Sequence, residues 1–309
     1  MKQRVVTGAL IVLALLIFVA LRFLNTYIFD ALIGIICICS VFEVSKVLNN
    51  ANFYNNKVIA LIFPLTYYIA FIICTQNTLP IWCFFLVILG IILLLSLITL
   101  LCTLFSKNTL LKEKGELTKQ KYVVKKILTT MFLLIYPSLI LCTLFILNHA
   151  GEICWFSTKI SANLGLMLLI MLFSVTMMTD TFAYFVGSLL KGPKLCPKIS
   201  PKKTISGAIG GLLGGLFASL IFFFVARSIP FINEFFTQIN AQWWQFMIYG
   251  IIGSIFTQIG DIFASLLKRK AKTKDFSSIF PGHGGFMDRC DGLSFNAMVT
   301  FIFAILLFI

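Results

Sequence analysis

Nine stretches of this chain are long, apolar and nearly free of charge: approximately 5–24, 27–47, 57–76, 79–105, 124–148, 163–190, 206–228, 245–267 and 292–309. A bilayer core of ~30 Å needs roughly 20 apolar residues per helix. Soluble domains sit near 45–50% apolar and about 25% charged. This chain is 60% hydrophobic and 12% charged, with a mean hydropathy of +1.01. The prediction is an all-α integral membrane protein of about nine transmembrane helices, with no soluble domain and no long linker.

The net charge of +14 is compatible with anionic partners, but a positive-inside bias gives the same sign. The distribution decides. With the N-terminus in the cytoplasm and nine alternating spans, the inner segments carry Lys2 and Arg4; Lys46 and Lys57; seven lysines between 107 and 126; five between 191 and 203; and five cations from 268 to 274 plus Arg289. Only Arg22, Lys159 and Arg227 fall outside. The orientation reads as N-terminus cytoplasmic and C-terminus outside, in a multi-pass cell (inner) membrane. The start, Met-Lys-Gln-Arg and then apolar, reads as the first span rather than a signal peptide, because a small-x-small cleavage site is lacking. Nine cysteines without CxxC spacing indicate neither a zinc site nor a disulfide framework.

The first five spans are apolar all round and read as scaffold, with Pro64 and Pro137 as expected kinks. Asp30 and Glu43 flank span two and are expected near its interfacial ends, with turning inward as the alternative for either. The lysine-rich loop Ser106–Lys126 reads as topology plus contact with anionic headgroups. We therefore divide the chain into an N-terminal transmembrane scaffold of about five helices (1–150) and a C-terminal region of about four helices and two basic cytoplasmic loops (151–309).

From residue 163 the character changes. Thr176, Asp180, Tyr184 and Gly187 are spaced four, four and three, which places them on one helix face. Asp180 lies about 16 Å inside the end of an unbroken helix that reaches Lys191, and an ionisable residue there is by default functional or paired. The following loop contains Lys198, Ser200, Lys202 and Lys203, donors suited to phosphate, with Pro197 and Pro201 keeping the backbone extended. Next come Gly207, Gly210, Gly211, Gly214 and Gly215. This small-residue stripe suits close helix packing, and its helix start also suits an anion. Span eight carries a polar stripe, Ser254, Gln258, Asp261 and Ser265. Asp180 and Asp261 are expected to face one cavity walled by the glycines.

The densest chemistry lies between Gly260 and Asp291. These 32 residues hold four of the eleven acids (Asp261, Asp275, Asp288 and Asp291) and one of two histidines, His283. Carboxylates from separate segments suit a hard cation such as Mg2+, which typically takes one or two carboxylates plus substrate phosphates. Basic residues from two loops suit a polyphosphate. Ser-His-Asp, Walker and HExxH patterns are missing. Phosphoryl and nucleotidyl transfer need chiefly positioning and charge neutralisation, which this inventory supplies.

The run Ser265-x-Leu-Lys268-Arg269-x4-Lys274-Asp275-x-Ser277-x2-Phe280-Pro281-x-His283-Gly284-Gly285-Phe-x-Asp288-Arg289-Cys-Asp291 resembles the signature of the phosphatidate cytidylyltransferase (CDP-diglyceride synthase) family. Asp180-Thr-Phe-Ala-Tyr184-Phe-Val-Gly187 and Lys198-Ile-Ser200-Pro201-Lys202-Lys203-Thr204 resemble two further motifs of that family. The resemblance is firm over about 174–300. It implies the reaction CTP + phosphatidate → CDP-diacylglycerol + pyrophosphate, dependent on Mg2+ with a second cation left open, at the cytoplasmic membrane face. It implies Asp261, Asp288 and Asp291 as metal ligands and Asp180 as a polar residue of the same cavity. Lys198, Ser200, Lys202, Lys203, Lys268, Arg269 and Arg289 become binders of triphosphate or phosphatidate. His283 is left with a functional reading, orienting a phosphate or assisting pyrophosphate departure, and a structural one, holding its turn together. The chain departs from the family where Glu-Ser is often found (here Ala264-Ser265), where Trp-Glu-Gly is often found (Ile205-Ser206-Gly207), and where Ser often follows the closing Asp (Gly292).

The partners expected are CTP, phosphatidate and the membrane, without nucleic acid; a homodimer is left open. Two other readings compete with the resemblance. A CTP-dependent lipid-alcohol kinase would share the cavity but not the PGHGG–DR–D run. A transporter of a phosphorylated anion would place paired broken helices in corresponding halves, which the sequence does not show.

Overall fold

The structure, a computed structural model, describes residues 2–105, 119–153, 155 and 164–308. Most of the lysine-rich loop after Phe105 and Lys159 lie outside the described residues. The chain divides into two compact units, Met1–Cys142 with Lys270–Met287, and Thr143–Arg269 with Asp288–Ile309.

The first unit holds α1 (Lys2–Arg22), α2 (Thr26–Asn50), α3 (Lys57–Gln76), α4 (Ile81–Phe105) and α5 (Lys119–Leu133). Asparagines start two of them. The Asn25 side chain accepts from the Tyr27 N–H, and that of Asn56 accepts from the Ile59 N–H, satisfying donors that a helix start leaves unpaired. The buried residues of α4 are Phe84, Ile88, Leu95, Thr99 and Thr103, a single stripe at helical spacing. Leu86, Leu89, Leu93 and Leu97 point outward, as lipid contact requires. In α4, Thr99 and Thr103 turn their hydroxyls back onto the carbonyls of Leu95 and Thr99, so neither leaves a polar group unpaired.

The two expected proline sites behave differently. Helix α3 continues through Pro64. At Pro137 the helix gives way to a π-turn, Leu134–Leu139, in which Tyr136 leaves helical geometry (φ −121, ψ 120) before α6 (Ile140–Asn148). Proline lacks the N–H that would continue the ladder, so the predicted span 124–148 is two helical pieces joined at Pro137.

The second unit contains α7 (Leu164–Leu190), a hairpin of β1 (Lys194–Cys196) and β2 (Ser200–Thr204), α8 (Ile205–Ser228), α9 (Pro230–Gln238), α10 (Trp243–Lys270) and α11 (Met287–Phe308). The strands pair antiparallel, Lys194 with Thr204 and Cys196 with Ser200. The extended backbone expected around Pro201 is therefore the second strand. Thr204 ends it and caps α8, accepting from the Gly207 N–H at 3.1 Å. The short α9, with proline at its first position, was not foreseen.

The glycine stripe sets the spacing of α7 and α8. A Cβ on Gly207 would lie 2.7 Å from the Ala183 carbonyl oxygen, and one on Gly214 would lie 2.7 Å from that of Met178. These neighbours are backbone and cannot swing away. Gly215 serves α10 as well, since its Cβ would meet Ser254 at 2.6 Å. Buried polar groups join the remaining helices. The Asn296 side chain on α11 donates to Thr176 Oγ1 at 2.9 Å, and Tyr249 Oη meets Thr300 Oγ1 at 2.8 Å. Such bonds are favourable where the alternative is hydrocarbon.

Among the described residues, eight helical segments are long and apolar enough to cross a membrane, and α1 adds a shorter apolar stretch, Leu13–Arg22. The all-α membrane class stands. If the glycine stripe sets helix spacing, Gly214→Ala will lower stability by about 1–3 kcal/mol, the usual cost of overpacking. Gly90→Ala, whose Cβ would meet nothing within 4 Å among the described residues, will leave it unchanged. Thermal unfolding of both variants in detergent checks this, and equal shifts would refute it.

Candidate active site

A cavity of about 710 Å3 opens in the second unit, between α7, the hairpin, α8 and α10. Its acidic lining is Asp180 and Asp261, and its basic lining is Lys191, Lys194, Lys202 and Lys203. Tyr184, Gly187, Gly207 and Gln258 complete much of the wall. The helical spacing of α7 brings Asp180, Tyr184 and Gly187 to this cavity together, while Thr176 of the same face bonds Asn296. The two acids thus meet at one cavity, as their spacing implied, but of the glycine stripe Gly207 alone is in its lining; Gly210, Gly211, Gly214 and Gly215 pack against neighbouring helices instead.

The α10 stripe divides its labour. Gln258 donates to the Ala208 carbonyl at 3.2 Å and ties α10 to α8. Asp261 stands one turn further on, with Lys203 Nζ 2.7 Å from its Oδ2. Ser265 Oγ reaches Asp261 Oδ1 at 3.5 Å. At the end of α10, Arg269 donates from Nε to the Ile199 carbonyl at 3.1 Å, so this guanidinium holds the hairpin turn. Lys198 and Ser200, expected as phosphate binders, sit on the hairpin but outside the cavity lining.

The first two turns of α11 carry Asp288, Arg289 and Asp291, with Asp288 in the first. Asp288 accepts from Lys268 Nζ at 2.7 Å, with the two side chains 3% and 12% exposed. This expected metal ligand is thus held by a lysine expected to bind substrate. Asp291 accepts from its neighbour's N–H, that of Gly292, at 2.8 Å. The carboxylates of Asp180, Asp261 and Asp291 lie within electrostatic range of one another, and Lys203, Lys268 and Arg289 act on members of the set. Among the described residues, no three His, Cys, Asp or Glu side chains are grouped tightly enough to hold a metal ion unaided.

His283 belongs to the first unit. Backbone bonds close its turn: Phe280 N–H to the Gly284 carbonyl at 2.8 Å, and His283 N–H to the Phe280 carbonyl at 2.9 Å. Gly282 and Gly284 take φ of 77° and 80°, which only glycine adopts readily. The imidazole Nδ1 is buried with no hydrogen-bond partner among the described residues. The turn therefore closes without that nitrogen.

Glu43, one of the two acids flanking span two, takes the inward alternative. Glu43 of α2 is 1% exposed, buried among protein atoms. It accepts from Ser277 Oγ at 2.6 Å, Phe286 N–H at 3.0 Å and Met287 N–H at 2.9 Å. The only signal in the sequence was an acid seven residues before the end of an apolar helix.

The cytidylyltransferase family matches residues 2–307, nearly the whole chain. The chain belongs to this family. Two curated relatives are named phosphatidate cytidylyltransferase. One, from Staphylococcus haemolyticus, is 34% identical over 131 residues, covering 42% of this chain and 46% of the relative. The other, from Brucella abortus, is 36% identical over 139 residues, covering 45% and 47%. The match thus spans about half the length of these curated relatives.

For a member of the cytidylyltransferase family, the two ion pairs have different weights. The Lys268–Asp288 pair is nearly closed to water, so Lys268→Met leaves a buried carboxylate without its cation and should cost about 3–5 kcal/mol. Lys203 and Asp261 are 22% and 39% exposed, so Lys203→Met should cost at most about 1 kcal/mol. Thermal unfolding in detergent distinguishes the two, and a larger loss for Lys203→Met would reverse the assignment.

Proposed function

We propose that this protein is a phosphatidate cytidylyltransferase, joining CTP and phosphatidate to give CDP-diacylglycerol and pyrophosphate at the cytoplasmic face of a cell membrane. The observation that carries the reading is the cavity in which two carboxylates and four lysines, from four separate elements, converge. Family membership and the names of the relatives support it. The orientation rests on the lysine and arginine distribution, with α1 taken as the ninth crossing.

By chemical type, the carboxylates suit a hard divalent cation. Asp180, Asp261 and Asp291 offer carboxylate oxygens within electrostatic range of each other, and a protein-only cage is not needed where substrate phosphates complete the shell. Asp261 and Asp291 would hold Mg2+, which when bound neutralises charge on the triphosphate. Asp288, paired with Lys268, positions that lysine. The lysines of the cavity then offset the repulsion between two anionic substrates. A phosphatidate oxygen attacks the α-phosphorus of CTP, forming one P–O bond as the bond to pyrophosphate breaks. The monoester is already anionic near neutral pH, since its second pKa is about 6, so no strong base is required. From the family resemblance alone, His283 is assigned to orient a phosphate.

The test follows label from radioactive CTP into the lipid phase, using detergent-solubilised protein, phosphatidate and Mg2+. Wild type should transfer label, lose the activity with chelator, and recover it on adding Mg2+. Asp261→Asn should fall by about a hundredfold or more, the scale of removing one preorganised charge contact. A folded wild type that transfers no label under any divalent cation would sink the proposal.

A further inference from the structure

Three observations within the first unit converge on Glu43. Its carboxylate is almost fully buried, yet it accepts three hydrogen bonds, all from one loop of the chain more than 230 residues away. A buried carboxylate is tolerated when its oxygens are met by donors, and here the donors are Ser277 and the backbone of Phe286 and Met287. Met287 is the first residue of α11. The first N–H groups of a helix have no intrahelical partner, and a negative charge is favoured there.

The third observation is Gly285. A Cβ at this position would run into both carboxylate oxygens of Glu43 and into Ser277 Oγ. Gly285 has no left-handed backbone to explain it, unlike Gly282 and Gly284. Its missing side chain is the space that the Glu43 carboxylate occupies. Two positions of the signature run, Ser277 and Gly285, thus serve an acid that the run does not contain.

We propose that Glu43 is a positioning residue for the transfer reaction: its carboxylate fixes the Ser277–Met287 loop and thereby the backbone that leads directly into Asp288, Arg289 and Asp291. This rests on the cytidylyl-transfer reading above. Glu43 acts through the loop and touches neither substrate. The carboxylate needs both oxygens, because Oε1 serves Ser277 and Phe286 while Oε2 serves Met287. Glutamine keeps the shape but turns an N–H donor towards one of these donors. Alanine removes the acceptor and vacates the space beside Gly285.

The experiment is a double-mutant cycle on the full chain in detergent, read by label transfer and by amide hydrogen exchange. Glu43→Gln and Glu43→Ala are each expected to lower kcat by about 10–100-fold, the range for residues that orient a site from behind. Exchange should quicken at 277–287 while the amides of α3 and α4 keep wild-type rates, which a general loss of stability would not do. Gly285→Ala should be equally damaging alone, yet cost less than about threefold further in the Glu43→Ala background, because residues in contact are not additive. Losses that multiply independently, or exchange at 277–287 that stays at the wild-type rate in Glu43→Gln, would overturn the proposal. A wild type with no transfer activity, whose loop nonetheless loosens in Glu43→Gln, would instead overturn the reaction and leave Glu43's hold on the loop supported.

Discussion

The near-contact of α7 and α8 along the glycine stripe is the constraint on which the second unit depends. With backbone oxygens of α7 where Cβ atoms of α8 would stand, the two helices have one separation and one register. The register brings Gly187 against Gly207 and sets hairpin residues in the wall of the cavity. Thr204 then closes the second strand and starts α8 with the same residue. Larger side chains on α8 would push the helices apart and move Lys202 and Lys203 away from Asp180 and Asp261. The stripe has no chemistry of its own, but it fixes the distances over which the charged groups act.

Much of this was legible because membrane chains write their topology plainly. Apolar length locates the helices, and α2, α3, α4, α7 and α8 end within a few residues of the expected windows. Period also placed the chemistry, since Asp180, Tyr184 and Gly187 share a helix face and Asp261 follows Gln258 on another. The hairpin was visible only as an extended, proline-marked loop, because three- and five-residue strands carry too few residues for a period. The π-turn at Pro137 was visible as a kink and not as a change of helix type, which depends on how neighbouring carbonyls find partners.

What could not be read were pairings between distant residues of opposite or complementary chemistry. Nothing local distinguishes Lys268, which is locked to Asp288, from Lys198, which is exposed on the hairpin. Arg269 reads as a phosphate binder by type, and the fold spends its Nε on a carbonyl of the hairpin turn. Glu43 shows the same limit from the other side. An acid near the end of an apolar helix has two cheap outcomes, reaching water or finding donors, and only the tertiary fold says which.

Under the proposed function, the contrast between the two ion pairs bears on how a cavity lined by four lysines can be stable. Four lysines around one cavity repel one another, and Asp180 and Asp261 offset that repulsion. Exposure decides which pair can be exchanged. Lys268 and Asp288 are nearly closed to water, so separating them costs more than separating an exposed pair. Lys203 and Asp261 meet at the cavity wall, where water already screens them. Under the proposed reaction, an entering triphosphate can take Lys203 from Asp261 at little cost. The carboxylate is thereby released to face the cation that accompanies the nucleotide. Each charge changes partner and none is left bare, so the same residues stabilise the empty cavity and the filled one.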